Sequence, residues 1–211
     1  MPMKLQLAFD FLQVPEIIRL VGQVADLIDL VEIGTPVIIR DGIQAVRQLR
    51  AAFPELALLA DLKIMDGGEY EASLAFEAGA DWATVLALAD ELTIAQAVKA
   101  ARSYQAKIMV DMIGVADIGR KAAAVEALGA SCVCVHTAID VQHTGRNPLQ
   151  ELREIKGVLR KACAAVAGGV DACTIAEVSR EQPDIVIVGG GITRQADPRA
   201  AALAIRRRMK P

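Results

Sequence analysis

The sequence predicts an α/β protein of one domain, a closed (β/α)8 TIM barrel over residues 1–211. Three observations carry the prediction. Short β-rich runs recur eight times, helical patterns separate them, and charged residues collect where the runs end. Strict alternation of strand and helix implies a parallel sheet covered on both faces. Eight units in 211 residues give about 26 residues each, near the minimum for a strand with its crossover helix. That count favours closure, with an open doubly wound sheet as the alternative.

The runs are "KLQLAFD" (4–10), "LVEIG" (30–34), "LLADLKI" (58–64), "WATVLAL" (82–88), "KIMVDMI" (107–113), "SCVCVH" (131–136), "ACAAVAGG" (162–169) and "DIVIVGGG" (184–191). In the first interval Ile17, Val21, Val24, Ala25 and Ile28 fall at helix-face spacing, and in the second Ile43, Val46, Leu49 and Phe53 do so. "EAGADWATV" (77–85) and "EALGASCVCV" (126–135) repeat one join, in which a helix stops at Gly79 or Gly129 and a strand starts within three residues. The last helix is predicted to begin with Asp197 as N-cap and Pro198 in its first position. No Pro/Ser-rich linker divides the chain.

Composition narrows the class. The chain is 54% hydrophobic and 23% charged, as an ordinary globular protein is. A net charge of −3 and only 3% aromatic residues give no reason to expect a nucleic-acid partner. No stretch approaches the ~18 apolar residues of a membrane span. "MPMKLQLAFDFL" meets Gln6 and Asp10 before a signal-peptide core could form. Cys132, Cys134, Cys163 and Cys173 lack zinc spacing with histidine and read as buried reduced thiols, which predicts a cytoplasmic location.

Alternate residues of a strand face one side. Asp61 and Lys63 therefore share the inward face of the third run, while Ala60, Leu62 and Ile64 point to the helices. The same test puts Asp10 at the end of the first run, Glu32 of the second, Asp111 of the fifth and His136 of the sixth. A single acid there is often a turn residue or a cap, and a lone histidine more often belongs to the core. Six such residues at one rim match the end where barrel enzymes place catalytic groups. Glu32, Asp61 and Asp10, with no second inward histidine, favour a hard cation such as Mg2+ over Zn2+. His143, in "DVQHTGRNP", reads as solvated rather than as a ligand. "VAGG" (166–169) and "VGGG" (188–191) close the last two runs, where barrels commonly hold a phosphate.

These stretches together resemble the orotidine-monophosphate decarboxylase superfamily over essentially the whole chain. Asp61-Leu-Lys63-Ile-Met-Asp66 is its D-x-K-x-x-D signature. "VEIGTP", "VDMIGV", "VHTAID" and "VIVGGGIT" are similar to the branch that condenses formaldehyde with ribulose 5-phosphate, using Mg2+. The resemblance implies that Glu32 and Asp61 hold the metal and that Lys63 sits beside the reacting carbon. His136 is then the general base, and Gly168, Gly169, Gly190 and Gly191 bind the phosphate. Asp10 and Asp111 are candidate substrate contacts, Asp10 also a candidate catalytic group. Asp66 resembles the aspartate that related homodimers lend to the partner's site.

Three other readings stand beside this one. The same groups could decarboxylate 3-keto-L-gulonate 6-phosphate, but those enzymes show H-R-S-R-D where this chain has His136-Thr137-Ala138-Ile139-Asp140. Ile139 has no donor for a carboxylate. Lys63 could form a Schiff base, or the barrel could bind a phosphosugar without turnover.

Overall fold

The computed structural model describes residues 2–144 and 148–209. Within them eight parallel strands close into a barrel in sequence order. The strands are β1 (Lys4–Phe9), β2 (Leu30–Ile33), β3 (Ala57–Ile64), β4 (Trp82–Leu86), β5 (Lys107–Asp111), β6 (Cys132–His136), β7 (Cys163–Ala167) and β8 (Ile185–Val188). Each overlaps one of the eight runs; β3 starts one residue before its run, and the others are shorter, most because the last residues of the run leave the ladder to build the mouth.

Outside the strands lie α1 (Val14–Val24), α2 (Thr35–Asp41), α3 (Gln44–Ala52), α4 (Gly68–Glu77), α5 (Glu91–Ser103), α6 (Ile118–Ala127), α7 (Leu149–Val158), α8 (Ile175–Arg180), α9 (Gly190–Thr193) and α10 (Pro198–Arg208). Asp197 caps α10 by accepting Ala200 N–H at 2.9 Å, as predicted. Gly79 and Gly129 follow α4 and α6 with φ +101° and +100°.

Period-two alternation divides each strand between two cores. Leu5, Leu7 and Phe9 of β1 are buried against the helices, each worth about 1.5–3 kcal/mol relative to exposure. Facing the axis, Leu30, Leu59, Trp82, Met109, Cys132 and Ile185 belong to a second core that fills the barrel. Towards the C-terminal ends the inward positions turn polar, with Glu32, Asp61, Thr84 and Asp111 all buried.

The structure corrects several details. Ala25 is the C-cap of α1, and Ile28 lies past that helix although it remains buried. Ile43 and Phe53 are the caps of α3 rather than members of its face. The short helix α2 was not anticipated. Of the four thiols only Cys132 and Cys134 are buried, while Cys173 is exposed and Cys163 intermediate. The side chain of His143 falls outside the described residues. Among the described residues no helix is long and apolar enough to cross a membrane.

Candidate active site

Asp10, Glu32, Asp61, Lys63, Asp111 and His136 all line one cavity of about 390 Å³. They come from five different strand ends. The alternation that sends their neighbours into the helix layer turns these side chains into the mouth.

The centre of the site is a chain of paired charges. His136 Nδ1 lies 2.8 Å from Asp111 Oδ2, and Lys63 Nζ lies 3.7 Å from the same oxygen. Lys63 Nζ also donates to Asp61 Oδ2. Burial pulls the Lys63 ammonium down, but Asp61, Asp111 and Glu32 outweigh it and leave its pKa above the ordinary lysine value. His136 follows the same logic: burial lowers it, the hydrogen bond and charge of Asp111 raise it more, and the net shift is upward. Burial would raise Asp111, yet His136 and then Lys63 hold it below the usual carboxylate range. Within the subunit, the acids flanking Lys63 are therefore Asp61 and Asp111.

A second group of acids repels itself. Burial, then Asp61, pushes the Glu32 carboxyl up to about 8, against a hydrogen bond from Gln6 Nε2 at 2.5 Å. Burial and Asp61 likewise raise Asp10, opposed by Lys63, His136 and Arg194. The repulsion that Glu32 and Asp10 each feel from Asp61 would be relieved by a cation. Among the described residues no three His, Cys, Asp or Glu are grouped to hold a metal alone. That is compatible with Mg2+, which is commonly bound by one or two carboxylates and completes its shell with water and substrate oxygens. The donor set, all oxygen at Glu32 and Asp61, fits that ion.

Further round the same cavity, the turns after β7 and β8 bring backbone close to it. Gly168 has φ +98°, and a Cβ there would lie 2.4 Å from Thr137 O. A Cβ on Gly191 would lie 2.5 Å from Val170 O. Neither position accepts a side chain without moving the backbone. Gly169 and Gly190 line the same wall with Arg194, whose guanidinium stacks 5.0 Å from the centre of the Phe11 ring.

Asp66 is the one predicted residue that does not line the cavity. It is exposed, and its Oδ1 accepts the N–H of Gly67 at 2.7 Å. Four contributors were missed. Gln6 and Thr84 occupy inward strand positions that the period-two test selects, but they carry no charge to draw notice. Thr35 donates to Asp61 Oδ2 at 2.8 Å from the start of α2, an element the sequence did not reveal. Arg194, four residues past Gly190, was legible as a cation beside a glycine turn.

A parallel barrel with a backed histidine and a half-buried lysine among carboxylates at its mouth has the architecture of an acid–base enzyme. Residues 3–205 match the family profile described as "Orotidine 5'-phosphate decarboxylase / HUMPS family". The 3-hexulose-6-phosphate synthase of Bacillus subtilis (strain 168) is 51% identical over 195 residues, covering 92% of this chain and 93% of its own length. The crystal structure of 3-hexulose-6-phosphate synthase from Salmonella typhimurium superposes with a TM-score of 0.95 at 42% identity, covering 98% of both chains. A 3-keto-L-gulonate-6-phosphate decarboxylase from Vibrio cholerae follows the same fold with a TM-score of 0.88 at 27% identity, covering 99% of this chain and 98% of the other. The chain belongs to the orotidine 5'-phosphate decarboxylase / HUMPS family, in the branch of the 3-hexulose-6-phosphate synthases.

Proposed function

We propose that the protein condenses formaldehyde with D-ribulose 5-phosphate to give D-arabino-hex-3-ulose 6-phosphate, with Mg2+ as cofactor. The observation that carries this reading is the His136–Asp111 pair beside Lys63, in a chain so similar to enzymes named for that product. With Nδ1 committed to Asp111, the Nε2 of His136 is left to face substrate. It removes the C1 proton of the sugar, leaving an enediolate. Lys63, fixed between Asp61 and Asp111, stabilises the oxyanion as it forms. C1 then attacks the formaldehyde carbon, and the new alkoxide takes back a proton from the His136 imidazolium. Mg2+ held by Glu32 and Asp61 would supply a Lewis acid for negative charge on the sugar oxygens. The turns at Gly168, Gly169, Gly190 and Gly191, with Arg194, hold the 5-phosphate. Asp10 lies between the two regions and contacts the sugar.

Ile139 speaks against the decarboxylase reading. It lines the cavity, is 51% exposed, and offers nothing to a departing carboxylate. The test is formaldehyde consumption with ribulose 5-phosphate, with and without EDTA. Consumption should require both substrates and stop with EDTA. Borohydride added with substrate should trap nothing, because a lysine kept protonated by two carboxylates is a poor nucleophile. A stable adduct at Lys63 would replace metal-assisted catalysis with a Schiff base.

A further inference from the structure

The β3–β4 ladder is broken where the site is built. Ala60 pairs Ala83 and Ile64 pairs Val85, so β3 carries two more residues than β4 between those pairs. Lys63 lies in that excess with φ +48°, a left-handed backbone that a long side chain keeps only where its surroundings enforce it. The bulge takes its amide out of register with the carbonyls of β4, and a side chain replaces them. Lys63 N–H donates to Thr84 Oγ1 at 2.9 Å, and the same hydroxyl donates to Asp61 Oδ1 at 2.7 Å. Thr84 is buried, and its one proton and one of its two lone pairs are used. It thus grips the two partners of one ion pair, Lys63 by its backbone and Asp61 by its carboxylate.

We propose that Thr84 is a positioning residue that holds Lys63 in the left-handed bulge and so aims its ammonium at the reacting oxygens. Valine at this position keeps the branched shape and removes the hydroxyl, leaving the Lys63 amide without its acceptor. Serine keeps the hydroxyl and removes only a methyl group. For its kinetic arm the inference rests on the condensation reading above, whereas its backbone arm does not.

The experiment combines lysine-labelled NMR with kinetics on the full chain. In the unsubstituted protein the Lys63 amide should be protected from exchange, and its Cα and Cβ shifts should be of the left-handed type. Thr84→Val should lose both signatures. Misplacement of a catalytic group by about 1 Å costs on the order of 100-fold, so its kcat should fall about 10–100-fold. KM for ribulose 5-phosphate should stay within about threefold, since the phosphate is gripped from β7 and β8. Thr84→Ser should restore the shifts and most of kcat. An unprotected Lys63 amide in the unsubstituted protein overturns the proposal, as does a valine variant with unchanged Lys63 shifts or a serine variant as impaired as valine. If the valine variant does not fold, the amide exchange of the unsubstituted protein and the serine variant decide. If the unsubstituted protein condenses nothing, the functional reading fails and the NMR arm alone judges Thr84.

Discussion

Replacing His136 with Asn should stop exchange of the sugar's C1 proton with solvent and lower turnover by about 10²–10⁴-fold, the usual contribution of a general base. Binding should survive, because the phosphate wall at β7 and β8 is untouched. Asn preserves a polar group beside Asp111 but cannot accept the proton. The pH profile provides a second check. The working base is neutral histidine, and Asp111 raises the pKa of His136 above the ordinary 6.5 against the effect of burial. The acid limb of kcat/KM should therefore fall above pH 6.5, with the rate lost as pH drops through it. Isotope exchange followed by proton NMR measures the step directly. Unchanged exchange in the variant would move the base elsewhere, with Asp10 first to test.

The second large effect is a recovery. Asp66 does not reach its own cavity, yet it ends the D-x-K-x-x-D motif that begins with two site residues. A capping box does not explain it. The N-cap of α4 is Gly67, and Glu69 pairs with Lys99 at 3.0 Å. Met65 and Tyr70 on either side are 52% and 71% exposed. In a two-fold dimer each Asp66 would reach the other subunit's Lys63, and symmetry would repeat the contact. An Asp66→Ala protein and a His136→Ala protein should each be nearly inactive. Subunit exchange between them creates mixed dimers with one site carrying both lesions and one intact, so each mixed dimer should recover up to roughly half of the normal activity. Verified mixed dimers that stay inactive would place Asp66 in its own subunit or outside catalysis.

The strands were legible because burial on both faces makes each a short, nearly continuous apolar run, set apart from the helical patterns on either side. The helix α2 was not, since seven residues give too few turns to show a period. Charged rim residues stood out because unpaired charge inside a barrel demands a reason. Their pairing was hidden, because His136 and Asp111 meet across adjacent strands and no local pattern records that contact. Lys63 is the clearest case. Its inward direction was visible, but its left-handed backbone depends on how β3 registers against Ala83 and Val85, a property of two strands rather than one.

The central claim is that this site makes a carbon–carbon bond between formaldehyde and ribulose 5-phosphate. Incubation of the Mg2+-loaded protein with 13C-formaldehyde and ribulose 5-phosphate, followed by carbon NMR, tests it most directly. The account predicts that the label becomes a hydroxymethyl carbon bonded to a second carbon, in a six-carbon ketose phosphate formed in step with formaldehyde loss. Label remaining in free formaldehyde, while the same sample releases carbon dioxide from 3-keto-L-gulonate 6-phosphate, would contradict it.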